Sequence, residues 1–214
     1  MNFLSRDNQR INQWRFYAGQ EHTLGKDWGL NYGVTYTTAL DNSYQMYYDP
    51  ETEAPLPDNN MKSRRREQTV NFYAGLSKSF GEKLSADVSL AAEQYHTDMW
   101  NEWSLYPVAN LTYLPAPGHI LQFSLSSDKE YPEYWSMQNS TSYMGAYSEI
   151  QGNPFLKPAT NYETTLSYIL KGKYVLSAYY SRTKNKEMQT LYQSPERLVE
   201  IYKCFNFDFS EQAG

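Results

Sequence analysis

The feature that most constrains the fold is an alternation of large apolar residues with small or polar ones at a period of two. It is clearest in residues 28–36, where every second residue is large and apolar. This period places the two kinds of side chain on opposite faces of a β-strand. The pattern recurs at 70–77, 84–90, 105–113, 121–125, 162–170 and 174–180, and more weakly around 14–18. We therefore predict eight strands before residue 182 and two more within 187–209.

Helix signals are nearly absent. No segment keeps apolar residues at a spacing of three to four between recognisable caps. The chain also lacks a run of about 18 uncharged apolar residues, which excludes a transmembrane helix, and it has no segment with the features of a signal peptide. We predict an all-β fold, an antiparallel up-and-down meander.

The connections between the predicted strands alternate between short and long. Short turns containing Gly or Pro lie at 24–27, 81–83, 115–118 and 171–173, and longer segments lie at about 41–68, 94–102, 127–160 and 182–187. This alternation places all short turns at one end of the sheet and all long loops at the other. The asymmetry is typical of an outer-membrane barrel. We therefore predict about eight to ten strands that form part of a transmembrane β-barrel.

The two faces of the predicted strands differ in the way that a membrane barrel requires. Opposite the apolar face lie residues such as Asn31, Thr35, Asp87, Glu93 and Ser167, which are too polar to form a dry core. The aromatic residues (21 Tyr, 9 Phe and 5 Trp) collect towards strand ends, as in the aromatic girdles of barrels. Mean hydropathy is only −0.75, because every second strand residue faces away from lipid and the loops are polar.

Alternation alone leaves two other architectures open. A self-contained outer-membrane barrel of eight to ten strands, with a structural or adhesin role, would pair the strand near Trp14 with one near 198–209. A soluble β-sandwich that binds carbohydrate through its Tyr-rich loops would instead bury the apolar faces of two sheets against each other.

Several short motifs between residues 105 and 185 carry a family resemblance. They are Tyr106-Pro107, Asn110-Leu111-Thr112-Tyr113, Pro132 with Tyr134-Trp135, Gly152-Asn153-Pro154, Leu156-Lys157-Pro158, Asn161-Tyr162-Glu163, Leu166-Ser167-Tyr168 and the segment 179–184. In these residues the chain resembles the C-terminal barrel portion of TonB-dependent outer-membrane receptors, within the outer-membrane β-barrel protein family. It departs from the family pattern at Tyr131, where the family usually has Arg, and at Val108, where it usually has Ser.

The resemblance implies a place in the outer membrane of a Gram-negative bacterium and the uptake of a large nutrient: a glycan, a peptide or a metal chelate. The implied partners are outer-membrane lipid, the rest of the barrel, a plug, the TonB complex that acts through the plug and, as a further candidate, a surface lipoprotein. Because the family barrel has roughly 22 strands, we expect residues 1–214 to be one partial barrel domain. The plug domain and the signal peptide are expected to be absent, and the open edges would need partners.

The motif at 152–158 is interpreted as structural. Gly152 can adopt a positive φ, and Asn153 and Lys157 are pushed towards extended conformations by the prolines that follow them. Neither Pro154 nor Pro158 can donate a backbone hydrogen bond, so the ladder cannot begin before them. We predict that Gly152, Asn153, Pro154, Leu156, Lys157 and Pro158 guide the chain back into the barrel.

A basic run, Arg64, Arg65 and Arg66 together with Lys62, ends the predicted 41–68 loop just before a strand. Guanidinium groups suit phosphate, so one hypothesis is contact with lipopolysaccharide. The alternative is a solvated loop.

An aromatic group lies in the predicted 127–160 loop and consists of Tyr131, Tyr134, Trp135, Tyr143 and Tyr147. Flat rings with polar edges can stack on a sugar or a peptide, which makes these residues candidate ligand contacts. They can equally fold the loop on itself.

Other classes of function are not supported by the sequence. The net charge of −5 has the wrong sign for a nucleic-acid partner. Cys204 alone makes neither an internal disulfide nor a thiolate zinc site and is interpreted as a small apolar strand residue. The histidines His22, His96 and His119 are not at metal-binding spacings, and neither a Gly-x-Ser-x-Gly elbow nor a phosphate-binding glycine loop is present. We predict no catalytic, metal or cofactor site.

Overall fold

A computed structural model describes residues 3–56 and 60–214, and within these ranges eleven β-strands form one sheet. In chain order the strands are β1 (Leu4–Leu24), β2 (Trp28–Tyr48), β3 (Met61–Phe80), β4 (Leu84–Thr97), β5 (Asn101–Tyr113), β6 (His119–Glu130), β7 (Thr141–Gly145), β8 (Ser148–Gln151), β9 (Ala159–Leu170), β10 (Tyr174–Gln193) and β11 (Glu200–Ala213). Among the described residues, no helix is long and apolar enough to cross a membrane. The order across the sheet is β1-β2-β3-β4-β5-β6-β9-β10-β11-β8-β7, and neighbours are antiparallel except β8 with β11. The predicted all-β, mainly antiparallel fold is confirmed.

All eight strands predicted before residue 182 are present, but they extend farther than the alternation indicated. The pairing of β2 with β3 reaches Gln45 and Met61, well inside the predicted 41–68 loop, of which residues 57–59 lie outside the described part of the chain. The predicted loops 94–102 and 127–160 likewise shrink to 98–100 and 131–158. The parts of these strands that lie next to the long loops lose the alternation but keep their pairing, because the ladder hydrogen bonds are made by the backbone.

The prediction of a loop at 182–187 is wrong. Strand β10 continues through this segment to Gln193, with Asn185 at a φ of 51°. Within the described residues, the segment 187–209 therefore contains the end of β10 and most of β11 rather than two new strands.

The short turns lie at one end of the sheet, as predicted, and each contains a glycine with positive φ: Gly25, Gly81, Gly118 or Gly172. We call this the turn end and the opposite end the loop end. The alternation becomes two faces. The outer face exposes apolar side chains such as Trp14, Phe72 and Leu176, whereas polar residues such as Asn71 and Glu93 meet on the inner face.

The well-buried core is small and lies near the loop end. Met137 and Leu156, from the segment between β6 and β9, pack there with Cys204 of β11, and Tyr134 covers them. The interpretation of Cys204 as a small apolar strand residue is confirmed.

The described residues form neither of the two alternative architectures. Within the described residues β1 pairs only with β2, while β11 pairs with β10 and β8, so the closure expected of a self-contained small barrel is not formed. The β-sandwich is also wrong, because the strands form one sheet whose apolar face is exposed instead of two sheets packed together.

Candidate functional site

The segment 131–158 between β6 and β9, here called the inner loop, folds across the inner face of the sheet. Its hairpin, β7 and β8, pairs with β11 through Ser148 and Glu200. On the far side it meets β2, where Gln45 donates to Ser142 Oγ (3.1 Å) and the Tyr47 hydroxyl donates to the Thr141 carbonyl (2.9 Å). One hairpin reaches both β2 and β11, which are far apart in the strand order, because the sheet curves around it.

Glu67 on β3 receives one end of the inner loop. Its carboxylate accepts hydrogen bonds from the Tyr134 hydroxyl of the loop (2.9 Å) and from the Tyr95 hydroxyl of β4 (2.8 Å). Arg65 Nε also donates to it at 2.9 Å, and both charged side chains are largely buried. Residues 65 and 67 share the inner face because they are two positions apart on one strand. Glu67 therefore joins two strands and the loop.

Glu93 on β4 repeats this arrangement one strand away. Its Oε1 accepts from the Tyr131 hydroxyl (2.6 Å) and from Lys129 Nζ (3.2 Å), and its Oε2 accepts from Asn71 Nδ2 (3.3 Å). Lys129 belongs to β6 and reaches past β5 to make this contact.

The reach of Lys129 depends on a separation of β5 from β6. These strands pair only between Ala109–Tyr113 and Leu121–Leu125, although both continue towards the loop end. Pro107, just above the paired region, has no N–H to donate to the ladder, and its carbonyl instead accepts from the Ser127 hydroxyl at 2.6 Å.

Both loop tyrosines are held as neutral donors. Burial and, secondarily, the negative charge of Glu67 raise the pKa of the Tyr134 hydroxyl. Burial, followed by its hydrogen bond to Glu93, raises the pKa of the Tyr131 hydroxyl as well. Each group therefore stays protonated at neutral pH and donates to a carboxylate, which fixes the start of the inner loop against the strands.

A cavity of about 670 Å³ lies beside these contacts on the inner face. Its polar lining comes from four strands and the inner loop and includes Gln13, Arg15, Thr35, Thr37, Thr69, Asn71, Tyr73, Tyr131 and Tyr134. The volume is within the usual range for ligand sites. Hydroxyl, amide and guanidinium groups supply both donors and acceptors, which suits a ligand rich in hydroxyl or amide groups.

The five predicted aromatic contacts are not brought together at one place. Tyr131 and Tyr134 line the large cavity, but their hydroxyls are used by Glu93 and Glu67. Trp135 donates to Glu133 and lines a neighbouring cavity of about 280 Å³. Tyr143 packs edge-on against Tyr47 (5.8 Å between ring centroids), and Tyr147 is 65 % exposed. Contact of these residues with a ligand stays a prediction.

The 152–158 motif ties the inner loop to β11. Asn153 Nδ2 donates to the Cys204 carbonyl (2.9 Å), and Asn206 both accepts from the Lys157 N–H (2.7 Å) and donates to the Lys157 carbonyl (2.9 Å). Leu156 is fully buried, and β9 begins directly after Pro158.

The reason predicted for Gly152 is wrong. Its φ is not in the positive range. A Cβ at this position would lie 1.7 Å from the Gln138 carbonyl oxygen, so glycine is needed for a close approach between two backbones.

The placement of the arginine run is also corrected. Arg64, Arg65 and Arg66 lie within β3, which begins at Met61, and not in the preceding loop. Their side chains alternate between the faces: Arg65 points inward to Glu67, whereas Arg64 and Arg66 are exposed on the outer face. Lipopolysaccharide contact by Arg64 and Arg66 stays a prediction. Arg65 lies on the opposite face of the sheet from these two residues.

Sequence reasoning does not identify Glu67, Tyr95 and Lys129 as site residues, and it identifies Glu93 only as one of the residues on the polar face of the strands. A usable signal was present, since a charged residue on the inner face of a barrel strand needs a partner. The three histidines lie on separate strands, with His22 beside Tyr32 and His119 Nδ1 2.6 Å from the Tyr168 hydroxyl. Across 3–56 and 60–214, no group of three His, Cys, Asp or Glu side chains could hold a metal ion.

Solved structures share this fold at low sequence identity. The siderophore receptor PirA from Acinetobacter baumannii has a TM-score of 0.64 at 12 % identity, over 96 % of this chain and 34 % of its own. The Serratia marcescens hemophore receptor HasR, in complex with hemophore HasA and heme, has a TM-score of 0.66 at 9 % identity, over 99 % of this chain and 39 % of its own. The copper transporter OprC has a TM-score of 0.61 at 13 % identity, over 100 % of this chain and 36 % of its own. The chain thus spans 34–39 % of the length of these structures.

The resemblance to receptor barrels is confirmed at the level of the fold. No curated protein sequence matches the chain significantly. The model of the outer membrane protein beta-barrel family matches residues 2–214, well beyond the 105–185 region that carried the resemblance. The chain therefore belongs to the outer membrane protein beta-barrel family and is part of a barrel in the outer membrane of a Gram-negative bacterium.

Proposed function

We propose that the chain forms part of the barrel wall of a TonB-dependent receptor that imports a large nutrient, and that the inner loop lies on the path of that nutrient. The nutrient is a glycan, a peptide or a metal chelate. Support comes from family membership and from a fold shared with proteins named as a siderophore receptor, a hemophore receptor and a copper transporter.

The observation that carries the proposal is the position of the inner loop. An outer loop that projected into solvent would leave the interior open, whereas this loop is drawn inward by Glu67 and Glu93 and frames a polar cavity of about 670 Å³. The exposed apolar outer face suits lipid, and the polar inner face suits a hydrated path. A ligand that enters from the loop end would meet the inner loop first.

The proposed partners follow from this role. The free edge of β1 would pair with further strands of the barrel, since an exposed edge of 21 residues is a template for pairing. A plug and the TonB complex acting on it would supply controlled opening. A surface lipoprotein would cover the loop end and capture the nutrient.

Uptake by intact cells tests the function. Cells that make the complete protein would be given a labelled oligosaccharide, a labelled peptide or a labelled ferric chelate, with and without the TonB protein. We expect accumulation of one class that is lost when either the complete protein or TonB is absent. Accumulation that is independent of TonB, or no difference for any class, would contradict the proposal.

A substitution at the small cavity tests the ligand path. Trp135→Ala removes a half-exposed ring from the cavity of about 280 Å³, and loss of an aromatic contact of this kind costs more than about 1 kcal/mol. We expect the substrate concentration for half-maximal uptake to rise about tenfold. The control Trp103→Ala removes an exposed ring of the same type from the outer face of β5, away from this cavity, and should leave uptake unchanged.

A further inference from the structure

The outer face of β1, β2 and β3 carries a cluster of basic side chains at the loop end. Arg10 and Arg64 both pair in register with Asn42 and thus flank it on the same row of the sheet. Lys62 lies two residues above Arg64 on β3 and Arg66 two residues below, on the same face. Arg6 lies above Arg10 on β1. We call these five residues, Arg6, Arg10, Lys62, Arg64 and Arg66, the outer basic patch.

Acidic residues on the same part of these strands point the other way. Asp7, Asp41 and Glu67 lie at odd positions, which face the inside, whereas all five members of the patch lie at even positions. At the loop end of these strands the outer face therefore carries cations and no acidic residue, whereas the inner face carries the acidic residues and Arg65, although the chain as a whole carries −5. A solvated surface has no need of such sorting, because mixed charges serve solubility better.

Within the described residues, most of the patch has no partner. In the part of the chain that the structure describes, the side chains of Arg10, Lys62, Arg64 and Arg66 make no hydrogen bond or ion pair, and all four residues are exposed. Arg6 is the exception, since it lies 3.5 Å from Glu53 in a pair that is exposed on both sides. Four of the cations thus remain free to meet an external anion.

The height of the patch relates it to the membrane. Directly below it on the same face are Trp14, Phe16 and Tyr36, with the rings of Phe16 and Tyr36 stacked at 6.5 Å. Trp14 is four residues from Arg10 along β1, a rise of about 13 Å. Aromatic residues of barrels lie at the boundary between lipid and water, and long loops lie outside the cell. The patch is therefore at the level of the outer-leaflet head groups.

We propose that the outer basic patch binds the phosphate groups of lipopolysaccharide, with Arg10, Arg64 and Arg66 as its principal contacts. Guanidinium groups bind phosphate in a bidentate manner, and three of them on adjacent rows can meet several phosphates of one lipid. This site lies on the opposite face of the sheet from the nutrient path and does not depend on the transport function.

The test uses the complete protein, freed of lipid in detergent and then titrated with lipopolysaccharide. The triple variant R10Q/R64Q/R66Q removes three charges without changing side-chain length greatly. The matched control K26Q/K83Q/K173Q removes three equally exposed charges at the turn end. Since each basic residue near an anionic lipid surface contributes about fivefold in affinity, we expect the triple variant to bind roughly 100-fold more weakly and the control to bind as the wild type does.

Further arms separate the source of the phosphate and the state of the protein. Lipopolysaccharide stripped of its phosphates should bind the wild type as weakly as intact lipopolysaccharide binds the triple variant. The charge-preserving variant R10K/R64K/R66K should bind more tightly than the glutamine variant but more weakly than the wild type, because an ammonium group cannot bind phosphate in a bidentate manner. All variants should retain the heat-dependent gel mobility of a folded barrel. Equal binding of the triple variant and the wild type, or equal wild-type affinity for phosphatidylglycerol nanodiscs, would overturn the proposal.

Discussion

Two carboxylates on the inner wall govern the local chemistry at the scale of single residues. Glu67 and Glu93 have side-chain exposures of 14 % and 12 %. A charge so shielded from water is costly unless it is paired and hydrogen-bonded. Each is given one cation, Arg65 or Lys129, and one tyrosine of the inner loop. The loop tyrosines therefore stabilise the buried carboxylates of the strands, and the same hydrogen bonds hold the inner loop against the strands.

Tyr134→Phe should loosen the start of the inner loop. The change removes the hydrogen bond to Glu67 while keeping the ring that covers Met137 and Leu156. A hydrogen bond to a charged group contributes about 1.5–3 kcal/mol, so the amides of residues 136–138 should exchange with deuterium at least about tenfold faster. Tyr147→Phe, at a 65 % exposed position, serves as the control. Unchanged exchange at 136–138 would show that Glu67 does not anchor the loop.

Gly152→Ala should displace the inner loop. The new methyl group would meet the backbone of Gln138, which cannot move aside as a flexible side chain can. Overpacking of this kind costs about 1–3 kcal/mol, and we expect proteolysis within 131–158 to become several-fold faster in the folded protein. Gly145→Ala is the matched control, since a Cβ there meets nothing within 4 Å. Equal proteolysis of the two variants would contradict the assigned role of Gly152.

At the scale of elements, one strand passes through several environments. The lower part of β3, with Phe72 and Leu76 exposed on the outer face, faces lipid. Its upper part holds Arg65 and Glu67 inside and Arg64 and Arg66 outside. Pairing with β2 is continuous through both parts. The backbone pairing is thus the same along the whole strand, and the side chains determine what each part of the strand contacts.

Leu76→Arg tests the face assignment of β3. Leu76 lies on the outer face between Leu30 and Val88 of the neighbouring strands, and an arginine on the lipid face near the midplane costs about 2–4 kcal/mol. The complete barrel in lipid vesicles should therefore unfold at a lower urea concentration. Ser77→Arg places the same side chain on the inner face opposite Asp87 and should have little effect. If Ser77→Arg instead lowered the urea concentration of unfolding and Leu76→Arg did not, the assignment of the two faces would be wrong.

At the scale of the whole molecule, the sheet that the described residues form is curved but not closed. Its outermost strands are β1 and β7. The inner loop pairs with β11 through the backbone of β8, whereas it meets β2 through the side chains of Gln45 and Tyr47. The chain spans 34–39 % of the length of the matched barrels. Further strands alone would complete the ladder and cover the free edge of β1.

Residues 1–214 produced by themselves should not form a stable barrel. An unpaired edge of 21 residues exposes backbone groups that lipid cannot satisfy. We expect the complete protein to show a folded band in SDS that shifts on boiling, and the 1–214 segment to show the same mobility before and after boiling. A heat-sensitive folded band from the segment alone would demonstrate that it closes by itself.

Much of the fold was predictable because it depends on local rules. Trp28, Leu30 and Tyr32 alternate with small polar residues, and the glycines at 25, 81, 118 and 172 mark the turns. The loop ends of the strands were not predictable in the same way, since 41–48 and 182–187 lose the alternation while the backbone keeps its pairing. The hydrogen bonds that extend these strands leave no periodic pattern in the side chains.

The sequence by itself determined the strand meander, the two faces and the family, because alternation, turn residues and motif spacing are properties of neighbouring residues. Only the tertiary structure decided that Tyr131 and Tyr134 bind Glu93 and Glu67, that Gly152 touches Gln138, and that Arg65 is separated from Arg64 and Arg66. The physical reason is distance along the chain. Tyr134 and Glu67 are 67 residues apart, and they meet because strand register and sheet curvature bring them to one height on the inner wall.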